Sequence, residues 1–216
     1  MTSHPLKSAV VIGATGLVGR ECLALLAARP EFDGVTALTR RALPDELQQP
    51  KVRTAIVDFD RLDEQPEAFR ASHVFCAFGT TIKQAGSQAR FRQVDFDYPL
   101  RAAERARAAG ARHFLLVSSV DANPAARTFY LKVKGELEQA ITALEFPSFT
   151  IVRPSLLVGD RSEFRFGEVL AIRFSWALPR KYAAVHVRDV ARALVDAAVE
   201  DRPGKRVIEN PEIERT

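Results

Sequence analysis

Tyr130 and Lys134 stand four residues apart in Phe129-Tyr130-Leu131-Lys132-Val133-Lys134, so on a helix a phenol and an ammonium share one face. A free tyrosine titrates at about pH 10 and becomes a working acid or base at neutral pH only where something stabilises the phenolate. An adjacent ammonium does this. Eleven residues before Tyr130 lies Ser119, in the Ser118-Ser119 pair that ends the apolar run His113-Phe114-Leu115-Leu116-Val117. A second chemical stretch is Gly13-Ala14-Thr15-Gly16-Leu17-Val18-Gly19. Gly13 lets the chain turn sharply, Gly16 brings bare backbone amides against a pyrophosphate, and Gly19 lets the next helix pack closely on its strand. The anion sits at the positive end of that helix, predicted from Leu17 to Ala28. Because the stretch follows the first predicted strand, Ala9 to Ile12, and opens the first predicted helix, it has the context a dinucleotide site requires.

The elements that must position these groups alternate. A second strand, Gly34 to Leu38, ends at Thr39-Arg40-Arg41. At that place a nucleotide fold meets the adenosine ribose, and an acidic side chain would accept from the 2′-hydroxyl of NAD. Two guanidinium groups stand there instead and favour a 2′-phosphate, hence NADP(H), with NAD(H) as the lesser choice; the alternative is a pair of solvated loop arginines. A third strand, Thr54 to Val57, ends at Asp58-Phe59, where Asp58 either accepts from the adenine amino group or caps a helix suggested by Asp60 to Phe69. The fourth, His73 to Phe78, is nearly all apolar, as a buried parallel strand should be, and leads into Gly79-Thr80-Thr81. Small residues around Ala77, Phe78, Gly79, Thr80 and Thr81 leave room beside a cofactor. A long amphipathic helix runs from about Gln88 to Ala109, with Gly110 as its stop. The fifth strand is His113 to Val117, and Phe149 to Val152 is the sixth. Strands alternating with helices imply an α/β Rossmann-type, doubly wound parallel sheet in a single compact domain. Ligands of such sheets bind at the carboxyl ends of the strands, where Gly13, Arg40, Asp58, Gly79 and Ser118-Ser119 all fall.

The 216 residues, 47% of them hydrophobic, can bury one good core. No apolar run reaches the roughly 18 to 20 residues of a membrane helix, so no membrane role is expected. Three glycines and Arg20-Glu21 interrupt any signal-peptide core between Lys7 and Ala28, which points to a cytoplasmic location. Cys22 and Cys76 read as small core residues, and His4, His73, His113 and His186 are scattered singly without ligand spacing, so no metal is expected. The net charge is +4. Arg90, Arg92, Arg101, Arg105, Arg107 and Arg112 are interleaved with Asp95, Asp97 and Glu104 without an aromatic stripe, which describes a solvated helix and no nucleic-acid surface.

With these residues in order, the chain resembles the short-chain dehydrogenase/reductase superfamily, atypical and extended branch, and is most similar to the compact group related to the Tat-interacting-protein oxidoreductase. The likeness runs through the glycine stretch, Val57-Asp58-Phe59, Gly79-Thr80-Thr81, Val94-Asp95-x-Asp97-Tyr98, Ser118-Ser119, Tyr130-Leu131-x-Val133-Lys134-Gly135-Glu136, Arg153-Pro154 and Asp160-Arg161-x-Glu163-x-Arg165-x-Gly167-Glu168. The resemblance implies that Tyr130 donates a proton, that Lys134 lowers its pKa and holds the nicotinamide ribose, and that Ser119 hydrogen-bonds the substrate carbonyl. It also implies cofactor contacts from Ser118, Arg153, Pro154, Leu156 and Leu157. One departure is Asp95, which stands where many relatives carry an asparagine of a proton relay. Many relatives pair through the helices containing Asp95 and Tyr130, so monomer and homodimer both stay open.

Only about sixty residues follow the sixth strand, residues 153–216, enough for a small substrate-side region and too few for a sugar-nucleotide domain. There the stretch Gly159 to Gly167 reads as a lid, and Val169, Leu170 and Trp176 mark a helix. His186 to Ala191 open a closing helix, and Lys205 to Ile208 form a last strand. Phe78, Phe166, Phe174 and Trp176 suggest either an apolar substrate pocket or core packing. The expected function is an NADPH-dependent oxidoreductase acting on a small carbonyl or alcohol; the alternative is an NADP(H)-binding regulator with little turnover.

Overall fold

The computed structural model describes residues 6–159 and 179–213. Its main sheet has seven strands, all parallel, in the order β3-β2-β1-β4-β5-β6-β9. They are β1 (Lys7–Ile12), β2 (Phe32–Thr39), β3 (Val52–Ile56), β4 (His73–Cys76), β5 (His113–Val117), β6 (Ser148–Arg153) and β9 (Gly204–Glu209). The order reverses between β1 and β4, where the chain leaves the two strands toward opposite edges and a crevice opens at their carboxyl ends.

Successive residues of each strand point to opposite faces, and both faces are covered. Ala9 and Val11 of β1 face α1 (Leu17–Ala28) and α6 (Val187–Glu200) in a core with Cys22, Leu26, Val190 and Leu194. Val10 and Ile12 face the other way, toward α4 (Tyr98–Ala108) and α5 (Phe129–Thr142), among Ala102, Ala106, Leu137 and Ile141. The doubly wound architecture is therefore as expected. Of the described part of residues 153–213, α6 and β9 complete this core, while β7 (Leu157–Val158) and β8 (Val185–His186) form a separate two-stranded sheet and α7 (Asn210–Ile213) follows β9. The expected lid, the helix of Val169, Leu170 and Trp176, and the aromatics Phe166 and Phe174 lie outside the described residues. Among the described residues no helix is long and apolar enough to cross a membrane.

Two helices differ from expectation. Residues 60–69 form two short 3-10 turns, Leu62–Glu64 and Pro66–Phe69, because Pro66 has no N–H to continue a helix begun before it. Asp58 accordingly caps no helix; its Oδ1 accepts from the Asp60 N–H at 3.0 Å. The long helix is divided into α3 (Gln88–Arg92), a π turn (Gln93–Asp97) and α4. Pro99 cannot donate to the carbonyl of Asp95, and the widened turn accommodates the missing bond. A short helix, α2 (Ile82–Ala85), precedes α3.

Candidate active site

The glycine stretch closes the amino end of α1 against the sheet. Gly13 has φ +77°, and a Cβ there would fall 2.6 Å from the Ala77 carbonyl oxygen. A Cβ on Gly19 would fall 2.1 Å from the Gly13 carbonyl oxygen, so these two glycines are required by the protein's own packing. Gly16 differs. Its nearest neighbour would be Gly13 O at 3.2 Å, so the bareness of this position leaves room for an incoming group. The first bond within α1 runs from Arg20 N–H to Gly16 O at 3.0 Å, so the amides of Leu17, Val18 and Gly19 precede any helical acceptor. No acidic side chain occupies the first turn to neutralise them. A diphosphate fits this cradle.

At the carboxyl end of β2, Arg40 and Arg41 are exposed, and neither forms an ion pair among the described residues. Thr39 Oγ1 donates to Arg41 O at 2.5 Å and fixes the bend that carries them. Asp58 is exposed after β3, and Phe59 is buried, its ring edge-on to Phe78 at 4.8 Å. Thr81 caps α2, and Thr80 donates its N–H to Asp95 Oδ2 at 3.0 Å.

Lys134 and Tyr130 lie on α5, and Ser119 follows β5. Lys134 is buried, and its Nζ lies 2.7 Å from Asp95 Oδ1, itself fully buried in the π turn. Burial pushes the ammonium down, but Asp95 and then Tyr130 outweigh it and hold Lys134 above the usual lysine range. At the position where the resemblance implied an asparagine in many relatives, Asp95 thus forms a direct ion pair with Lys134. Tyr130 is half-buried, its ring centroid 5.5 Å from that of Phe91, and no hydrogen bond occupies its hydroxyl among the described residues. Among the described residues, Ser119 Oγ donates only to the Val120 carbonyl, at 3.2 Å, a contact easily exchanged for a better acceptor.

Two expected cofactor contacts have other partners. Ser118 Oγ donates to Glu138 Oε1 at 2.5 Å. Arg153 binds Glu138 through Nε at 3.0 Å and Nη2 at 2.6 Å, and Glu209 through Nη1 at 2.9 Å. This network ties β5, α5, β6 and β9 together through both side chains. Pro154 is buried and its carbonyl accepts from Val120 N–H at 2.9 Å; Leu156 O accepts from Val185 N–H at 2.9 Å, and Leu157 pairs with Val185 in the small sheet. Sequence reasoning missed Glu138, which carries no motif, and the role of Gly135. A Cβ on Gly135 would lie 2.2 Å from the Asn123 carbonyl carbon, so this glycine lets the loop after Ser119 rest on α5. A glycine inside a helical pattern was the available signal.

A model of a family described as NAD(P)H-binding matches residues 13–201. Protein HTATIP2 of Rattus norvegicus is 39% identical over 213 residues, covering 96% of this chain and 88% of the relative. Protein FMP52, mitochondrial, of Eremothecium gossypii is 33% identical over 219 residues, covering 95% of each. Protein FMP52-1, mitochondrial, of Scheffersomyces stipitis is 40% identical over 159 residues, 71% of this chain and 69% of the relative. Among solved structures, a UDP-glucose 4-epimerase of Thermotoga maritima with UDP-glucose superposes with a TM-score of 0.72 at 17% identity, over 94% of this chain and 76% of the enzyme, a likeness of fold. The mitochondrial yeast relatives overturn the cytoplasmic location expected from the sequence. That expectation weighed only a secretory signal, whereas organelle import reads a different, Arg- and Ser-rich amphipathic pattern.

Proposed function

The chain belongs to the NAD(P)H-binding family, and on that premise we propose that it is an NADPH-dependent oxidoreductase that reduces a small carbonyl substrate. The observation that carries the reading is Lys134, buried and charged beside Asp95 and within the field of a Tyr130 hydroxyl that no other group engages among the described residues. The amides at the start of α1 would hold the diphosphate, Arg40 and Arg41 the 2′-phosphate, and Lys134 the ribose next to the nicotinamide. When bound, the reduced nicotinamide supplies a hydride.

The chain's own groups do the rest. Ser119 Oγ turns from the Val120 carbonyl to donate to the substrate oxygen and fix its position. Tyr130 gives its phenolic proton to that oxygen as negative charge develops there, and the Lys134 ammonium stabilises the phenolate left behind. Phe91 buttresses the Tyr130 ring. The test is Tyr130→Phe, which keeps the ring and removes the proton: NADPH should still bind while turnover over a panel of aldehydes and ketones falls about 100-fold or more. Equal turnover would reject Tyr130 as the acid, and tight NADPH binding without turnover by the parent would favour a regulator.

A further inference from the structure

At the amino-terminal edge of the sheet, opposite the nucleotide crevice, β4 and β5 each begin with a histidine, and their register sets His73 beside His113. Both rings are buried. Asp201, which ends α6 with φ +46°, brings its Oδ1 to 3.1 Å from His113 Nδ1 and 3.5 Å from His73 Nε2. The three donor atoms lie within 4.8 Å of one another.

The surrounding hydroxyls orient the rings. Ser72 Oγ accepts from the Ser8 N–H at 2.9 Å and gives its own proton to Ser8 O at 3.0 Å, so its 2.8 Å contact with His73 Nδ1 is a donation by the ring. In a neutral imidazole, that leaves a lone pair on Nε2. This atom is buried, has no hydrogen-bond partner among the described residues, and faces the Asp201 carboxylate. Burial holds both histidines below the ordinary imidazole range, against the pull of Asp201. On the far side of His113, Nε2 lies 2.9 Å from Thr150 Oγ1, which can accept its proton and free Nδ1 as a second donor atom.

We propose that His73 Nε2, His113 Nδ1 and Asp201 Oδ1 bind a divalent transition cation of the zinc class, with solvent as the fourth ligand. Tetrahedral bonds of about 2.0–2.2 Å put ligand atoms roughly 3.3–3.6 Å apart, close to the two separations found here. Ser72 and Thr150 are the outer partners that hold each ring, and the partly exposed Asp201 marks the way in. Arg112 Nη2, 3.6 Å from Asp201 Oδ2, and Lys7, whose Nζ donates to Ala198 O at 2.6 Å, oppose a dication through their charge. Both act on the two histidines as well as on Asp201, and they moderate the affinity. The cation would join the end of α6 to β4 and β5.

Chelator-treated full-length protein, titrated first with Co²⁺ and then with Zn²⁺, tests this. One equivalent of Co²⁺ should give the visible absorption of a tetrahedral site, Zn²⁺ should displace it, and Zn²⁺ should raise Tm. Arg112→Ala should bind about tenfold more tightly by losing a like charge. Asp201→Asn keeps a residue tolerant of the left-handed conformation, and His113→Gln keeps a partner for Thr150; each should lose the absorption. The parent alone decides if a variant fails to fold: no visible band and no rise in Tm overturns the proposal. So does a band that persists unchanged in both folded variants.

Discussion

Asp95 decides how Lys134 behaves. A buried ammonium beside apolar residues would deprotonate readily, and only the carboxylate at 2.7 Å, helped by Tyr130, reverses that tendency. Asp95→Asn keeps an acceptor for the Thr80 amide but removes the charge, so burial then dominates and Lys134 loses its proton at lower pH. The alkaline limb of NADPH affinity should move to lower pH in this variant; an unmoved limb in a pH series of fluorescence titrations would show that Lys134 does not contact the cofactor. Arg40 makes a separate case. Losing a charge-assisted bond costs roughly 1.5–3 kcal/mol, so Arg40→Ala should weaken NADPH about tenfold or more and leave NADH nearly unchanged. Equal affinities of the parent for NADPH and NADH, measured calorimetrically, would remove the 2′-phosphate role.

Between elements, the two contacts that place α5 are a close approach and an ion network. Gly135 allows the loop at Asn123 and Pro124, which follows Ser119, to lie on the helix. Gly135→Val should push that loop away and destabilise the protein by about 1–3 kcal/mol or more, the scale of overpacking, read as a lower urea midpoint. Glu138 joins Ser118 to Arg153 with little exposure. Glu138→Gln leaves Arg153 with Glu209 as its remaining carboxylate and should cost about 2–4 kcal/mol, since a half-broken buried pair keeps its desolvation cost. NADPH affinity of the folded variant should stay within about twofold; a tenfold loss would return Arg153 to the cofactor.

Across the whole molecule, the sheet separates two cores, and one cysteine sits in each: Cys22 with α1 and α6, Cys76 with α4 and α5. Burial pushes the Cys76 thiol up to about 11 and Cys22 higher still, so neither offers a thiolate at neutral pH while the fold is closed. Both should resist a thiol reagent in the native protein and react fully in denaturant. If the sheet holds its two faces in one cooperative unit, the cysteines should become reactive together as urea is raised, each followed by mass spectrometry of its peptide. Earlier labelling of Cys22 would show that the α1–α6 layer opens by itself.

The doubly wound sheet was legible because each strand is an apolar run bounded by turns, and the glycine stretch was legible because chain reversal and close packing demand glycine locally. The pairing of Tyr130 with Lys134 follows from helical spacing alone. Other features depend on residues far apart in the chain. Pro66 and Pro99 altered their helices through single missing donors, which periodicity does not register. The burial and partner of Lys134 came from packing the π turn against α5, and Arg153 was drawn to Glu138 by a helix whose sequence carries no signal for that contact. His73 and His113, forty residues apart and read as isolated, became neighbours through the register of two parallel strands, and Asp201 joined them only when α6 closed over the sheet. Spacing along the chain specifies what one helix or turn presents, whereas the distance between two such elements is set by which apolar faces bury one another.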